Sequence, residues 1–481
     1  MAEPAPSRVA DCRERVRDLD LAELSRALRA RELSSVDVTS AYLDQIAELD
    51  DAVGAWVRTY PERALRAAEQ ADRGRAVTAG ERAAADLAGV PIGLKDVIAV
   101  AGEPLSLGSA AFAADVAAAD ATAWARLRRR GAVLLGHNTT QELAIGNAPQ
   151  LVANPWDLGR SPGGTSNGSA AAVAAGMVPV SLGTDVGGSL RRPASACGLS
   201  TFIATAGAVS LGGVHTFNPA AERVGPLARS AADCATVSAA LASPGPRLGR
   251  PAPVSVDGAR LGRVELRGEQ CPDPEVAAVL ARFERELGEL GADVVAVEQP
   301  ASPTLDPRPR PALVEFLRAH LATRGARLSP YVRGLGRELL ARAERDGVAD
   351  EESDRLALDR YRQAWGGVFA GLGLDAVFLP AQLAVTPALE TVRDCGDLDR
   401  FGDAAIRAMW NQLGAPVACI PAGRTADGMP VGIQLAGAWW EDELVLGLAI
   451  AFQAATDHHR FRTLPAAADR ALVGSAGTGS T

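Results

Sequence analysis

Apolar positions in the first part of the chain recur at helical spacing. The segment DLAELSRALRARELSSVDVTSAYLDQIAEL predicts that residues 18–75 are helical throughout. From about Gly89 the pattern changes to short, continuous apolar runs: VPIGLKDVIAV, AVLLG and MVPVSLG. Such runs, alternating with helical stretches, predict buried strands in an α/β layer structure. DATAWARLRRRGAVLLG holds the unit in miniature, a helix closed at Gly131 and then a buried strand. Further on, Asp273 is placed to cap a helix with Pro274 in its first turn. Val276, Val279, Leu280, Phe283, Leu287 and Leu290 mark its apolar face, and Gly291 ends it before the strand ADVVAVE. Residues 300–400 are polar, Arg-rich and mainly helical in pattern. The chain then returns to strands, PVACIPAG and MPVGIQLAG, and to a helix, DELVLGLAIAFQAA.

Proline and glycine concentrate at 243–259, which reads as a surface connection or a subdomain boundary. This gives an N-terminal helical region, 1–75, and a core, 76–242. Residues 243–465 continue the same α/β domain and include a weakly patterned stretch at about 300–411; residues 466–481 form a frayed tail. No internal repeat is visible.

Composition narrows the function classes. Hydrophobic residues make up 47% and charged residues 22%, values of a soluble globular protein. A net charge of −9 argues against nucleic acid as the main partner. The one basic run, RLRRR at 126–130, suits a solvated helix end, where cations complement the dipole. No stretch reaches the ~18 apolar residues of a membrane span, and the N-terminus lacks a signal-peptide core. The six cysteines show neither CxxC pairs nor metal-type spacing with histidine. The expectation is a cytoplasmic protein with reduced thiols, no metal and no membrane partner.

Candidate chemistry begins with one residue. Of 49 basic residues only Lys95 is a lysine, and it sits in an apolar run. Arginine cannot lose its proton in a protein, whereas a buried lysine can, so Lys95 is a candidate base. A nucleophile for it lies in SPGGTSNGSAAAVAAGMVPVSLGTDVGGSLRRPASACG, residues 161–198. In TDVGGS the amides of Val186, Gly187, Gly188 and Ser189 can converge on an anion. That makes an oxyanion hole around a nucleophilic Ser189. Glycine- and serine-rich turns are common, so this feature is weak alone. GTSNG also fits the nucleophile elbow, with Ser166 as nucleophile, but that motif needs a strand directly before it. NPWDLGRSPG cannot supply one, and none of the five histidines has a supporting motif. Ile92 excludes a Ser-x-x-Lys pair, and Leu94 excludes a P-loop.

PIGLKD, PGGTSNGSAAAVAAG, GTDVGGSLRRPASACG, GPLARSAAD and PAGRTADGMPVGIQLAG follow one another along the chain. In this order and spacing the chain closely resembles the amidase signature family. The resemblance implies a single large α/β domain with a central mixed β-sheet covered by helices. It also implies a Ser–cis-Ser–Lys triad that hydrolyses amides without metal or organic cofactor. Carried over, Ser189 is the nucleophile and Lys95 the base. The bridging serine, 24 residues before the nucleophile, falls on Thr165, which keeps the hydroxyl. Ser166 is a second candidate for that place. Asp185 anchors the loop, and Arg191 is structural or a charge that helps to keep Lys95 neutral.

A second departure is CGLSTFIATAG, where the family has a CGLxGLKPT-like run. Thr201, Ile203 and Ala204 stand at altered positions, which argues against an ordinary housekeeping member. The first functional expectation is therefore an amidase hydrolysing a small or medium amide. The alternatives are an acyl transferase or amidotransferase-type subunit, and a non-catalytic scaffold. The resemblance suggests a homodimer, and specificity is expected to reside in residues 300–411. Trp410, Trp439 and Trp440 are candidate pocket residues, with packing as the competing role.

Overall fold

A computed structural model describes residues 12–17, 19–74, 87–145, 151–243, 248–249, 251–393 and 403–461. The tail expected at 466–481 lies outside the described residues. The continuous apolar runs become strands covered on both faces, as parallel neighbours require. The strands of the sheet, in chain order, are β1 (Trp56–Thr59), β2 (Pro91–Lys95), β3 (Val133–Asn138), β4 (Val180–Asp185), β5 (Ser200–Ile203) and β6 (Arg223–Ala228). They continue with β7 (Arg260–Val264), β8 (Asp293–Val297), β9 (Ala376–Pro380), β10 (Val417–Arg424) and β11 (Pro430–Ala436). All join one 11-stranded sheet, in the order β1-β3-β2-β4-β6-β5-β10-β11-β9-β7-β8. β2 runs parallel to β3 and β4, and β7 parallel to β8 and β9; the other pairings are antiparallel.

Helices that bear on the site or the core are α1 (Leu21–Arg29), α2 (Ser35–Val53), α3 (Pro61–Gly74), α4 (Thr122–Arg129), α5 (Asn167–Ala174) and α6 (Arg191–Ala196). They continue with α7 (Ala231–Leu241), α8 (Pro274–Glu289), α9 (Pro311–Arg324), α10 (Pro330–Asp346), α11 (Glu351–Leu372), α12 (Leu389–Arg393), α13 (Ala404–Leu413) and α14 (Asp442–Ala455). α8 forms as its residues dictate: the Asp273 side chain accepts from Val276 N, and Pro274 occupies the first turn. Its Val276, Val279, Phe283 and Leu287 are buried, each contributing about 1.5–3 kcal/mol. Gly291 follows with φ +90.

Local pattern missed several strands, for physical reasons. β1 interrupts the region expected to be wholly helical; it is a four-residue edge strand with one buried position. β6 is central, yet its RVGPLA carries glycine and proline, which normally argue against a central strand. β7 carries two arginines and a glycine in five residues, and β9 lies in the section read as mainly helical. The altered segment after Cys197 is accommodated inside the sheet. β5 pairs with β6 and β10, while the Thr205 amide and hydroxyl bind the Asp442 carboxylate. Trp410 is fully buried against Trp365, a packing role, whereas Trp439 donates to Leu413 O and Trp440 is 39% exposed.

Candidate active site

β2 and β4 are parallel neighbours, with Leu94 beside Leu182, so their C-terminal ends lie together. The first end carries Lys95 and the second leads into the Ser189 loop. Lys95 is completely buried, and its Nζ donates to Thr165 Oγ1 at 2.6 Å and Thr184 Oγ1 at 2.9 Å. Burial pushes the ammonium down to about 8, while the charges of Glu222 and Asp185 act in the opposite direction. The shift brings free amine within reach near neutrality, although the ammonium is still the larger fraction there.

The loop after β4 turns around the Asp185 carboxylate. Its oxygens accept from Gly188 N at 2.6 Å, Leu190 N at 3.0 Å, and Arg191 Nη2 and Nε at 3.0 and 3.2 Å. Asn411 Nδ2 adds a bond at 2.9 Å from α13. Burial alone would raise this carboxyl, but the Arg191 charge and these bonds outweigh it and hold it below the usual range. Arg191 is equally enclosed, donating also to Arg407 O and Gln434 Oε1 at 2.9 and 2.7 Å. It acts as a hub that ties the loop to α13 and β11. Gly188 has φ +109, and a Cβ there would lie 2.1 Å from Arg407 Nε. Only glycine fits.

This geometry refines the expected anion cradle. The Gly188 amide is committed to Asp185, whereas the amides of Val186, Gly187 and Ser189 have no acceptor among the described residues. All three residues are partly exposed, so a ligand can approach the Ser189 hydroxyl. Thr165 reaches Lys95 from the loop before α5. That loop lies against the nucleophile segment: Ser166 N donates to Ser189 O at 3.2 Å, and a Cβ on Gly164 would be 3.0 Å from the same oxygen. The structure brings Lys95 and Thr165 into a hydrogen bond, but Thr165 and Ser189 are not bonded to each other. Ser166, the second candidate for the bridging place, has its hydroxyl turned to Thr184. Its hydroxyl donates to Thr184 O at 3.0 Å and accepts from Thr184 N at 3.2 Å. The described backbone has no cis peptide bond.

Sequence reasoning missed Thr184, Asn411 and Glu222. Thr184 stands inside the GTDVGGS motif and could have been found there; the others carry no local signal. Glu222 immediately precedes β6, whose Arg223 pairs with Asp185, so it sits at the same end of the sheet. It is 4% exposed, and its Oε1 has no hydrogen-bond partner. The hydroxyls of Thr216 and Thr184 and the Lys95 ammonium are its neighbours. Beyond them, His215, Phe217, Phe316, His320 and Phe112 form an aromatic cluster with ring centroids 4.6–5.5 Å apart. Two of its members come from α9, in the weakly patterned segment. A cavity of about 390 Å³ lies behind the Thr165 loop, lined in part by Ser106, Thr140, Glu142 and Asn167.

A family model described as Amidase matches residues 37–446. The chain belongs to the amidase family. This amidase is 31% identical to the A subunit of glutamyl-tRNA(Gln) amidotransferase from Geobacter sp. strain M21, over 92% of this chain and 98% of the relative. The corresponding protein from Chloroflexus aggregans, of the same name, is 33% identical, over 91% and 96%. Among solved structures, peptide amidase from Stenotrophomonas maltophilia superposes with TM-score 0.74 at 25% identity, covering 93% of this chain and 98% of the other. A 6-aminohexanoate cyclic dimer hydrolase gives 0.79 at 25%, covering 94% and 99%. The fold is thus the amidase signature fold, and the protein is an enzyme of amide C–N bonds. Among the described residues no helix is long and apolar enough to cross a membrane.

Proposed function

We propose that this amidase cleaves an amide through an acyl-enzyme on Ser189, with Lys95 as base and Thr165 as the relay. The observation that carries the reading is the fully buried Lys95 Nζ held 2.6 Å from Thr165 Oγ1. Neutral Lys95 takes the Thr165 hydroxyl proton as Thr165 takes that of Ser189, and Ser189 Oγ attacks the amide carbonyl. The amides of Val186, Gly187 and Ser189 receive the negative charge that develops on oxygen. The relay then runs backwards, the proton passes to the leaving nitrogen, and the C–N bond breaks. The open Thr165–Ser189 step matches catalytic hydrogen bonds that close only around substrate.

The acceptor of the acyl group and the destination of the nitrogen are separate questions. The curated relatives favour an amidotransferase-type subunit, in which nitrogen from an amide donor passes to a partner. This reverses the expected order, which placed free hydrolysis first because of the altered segment after Cys197. That objection loses weight, since Ser200–Ile203 serves as a sheet strand. The amidases among the solved neighbours support free hydrolysis as the second reading.

Fluorophosphonate labelling followed by mass spectrometry, with a panel of primary and secondary amides, tests the proposal. An adduct on Ser189 is expected. Rapid nitrogen release by the isolated chain supports hydrolysis, and slow release that a partner accelerates supports the amidotransferase-type reading. Absence of an adduct overturns both and leaves a binding scaffold. Lys95→Arg should abolish turnover, because arginine keeps its proton.

A further inference from the structure

The lysine that serves as base has a neighbour for which the proposed relay has no use. Lys95 Nζ donates to Thr184 Oγ1 at 2.9 Å, and the Thr184 hydroxyl proton has no acceptor among the hydrogen bonds of the described residues. Glu222 Oε1 is buried without a hydrogen-bond partner of its own, while the Thr216 and Thr184 hydroxyls act on the same carboxylate and favour its charged form. The Thr184 hydroxyl is thus held by the base on one side and acts on the Glu222 carboxylate on the other. A buried carboxylate oxygen left without a partner is costly, and pairing it through Thr184 removes the cost. We propose that Glu222 is the proton partner of Lys95, linked to it through the Thr184 hydroxyl.

The exchange balances without any other reactant. An N–H proton of Lys95 moves to Thr184 Oγ1 as the Thr184 proton moves to the Glu222 carboxylate. An ammonium and a carboxylate become an amine and a carboxylic acid, with no change in net charge. The amine is then free to take the proton of Thr165. Glu222 and Thr184 are positioning residues, since both act through Lys95. Other charged or titratable groups face the pair from each side. Asp185 lies at the end of β4, Arg223 begins β6, and His215 sits on the loop that bonds to Val97 O. Asp96, next to Lys95 in the chain, is turned to Arg58 and Ser106. Of these only Glu222 combines burial, an orphan oxygen and contact with Thr184. Burial raises its carboxyl to about 7, against the pull of the Lys95 charge, close to the value of about 8 for the lysine. Two groups so matched titrate as a pair.

This inference rests on Lys95 as the base, but its test needs no substrate, so the two ideas can fail separately. The chain holds a single lysine, so protein grown on ¹³Cε-lysine gives one side-chain resonance. Followed from pH 5 to 11, the wild-type signal should titrate in two steps. In Glu222→Gln it should show one step, at least one pH unit below the upper wild-type step, because the carboxylate that favours the ammonium is gone. Glu222→Asp should restore part of the shift. A one-step wild-type curve overturns the proposal, as does an unchanged midpoint in Glu222→Gln. Should that variant not fold, the wild-type curve decides alone.

Discussion

In the proposed relay Thr165 stands where the resemblance places a serine, between Lys95 as base and Ser189 as nucleophile. Threonine keeps the hydroxyl but restricts χ1 through its β-methyl, and Lys95 already holds that hydroxyl at 2.6 Å. Thr165→Val keeps the shape and removes only the relay oxygen. Its kcat should fall by about 10²–10⁴ with folding intact, the range for loss of acid–base transfer. Thr165→Ser should retain activity. Stopped assays on both variants check this, and full activity in the valine variant would show that Lys95 reaches Ser189 by another route. Lys95 and Ser189 were legible as candidates because each is conspicuous locally, one as the only lysine and the other within a glycine-rich turn. Glu222 was not, because its significance comes from neighbours on β2 and β4 that only the sheet brings to it.

At the level of elements, the Ser189 loop keeps its shape through a buried ion pair and one obligatory glycine. Gly188→Ala forces an alanine into φ +109 and against Arg407. The backbone strain alone costs about 1–3 kcal/mol, and the loop would move away from Asp185. Thermal melting should show a clear drop, and labelling of Ser189 should be lost; an active variant of normal stability would mean that the loop is not held in this way. Helices with caps and broad apolar faces, such as α8, were readable from spacing. Strands with arginine, glycine or proline inside them, such as β6 and β7, were not, because their pairing partners stabilise them rather than their own composition.

Across the whole molecule, the active-site pair makes stability depend on pH. Lys95 titrates near 8 when folded, whereas an unperturbed lysine titrates at 10.5. Between those values the unfolded chain binds more protons, so this group makes folding more favourable as pH rises through that window. Glu222 has the opposite sign, since its folded value of about 7 exceeds 4.5, and its contribution falls as pH rises between them. The pair therefore costs most between about pH 7 and 8. Lys95→Met should be more stable than wild type at about pH 7.5, with the advantage shrinking by about pH 10. Urea unfolding at both pH values measures it, and a gap that widens with pH would contradict the assignment. The sequence alone determined the layered α/β class, the candidate base, the candidate nucleophile loop and the family, because these reside in periodicity and contiguous motifs. Only the tertiary structure decided that Gly188 serves Asp185, that Ser166 is occupied with Thr184, and that a carboxylate stands behind the lysine. Those facts depend on which side chains the sheet places within a few ångströms of one another, and no spacing along the chain encodes that distance.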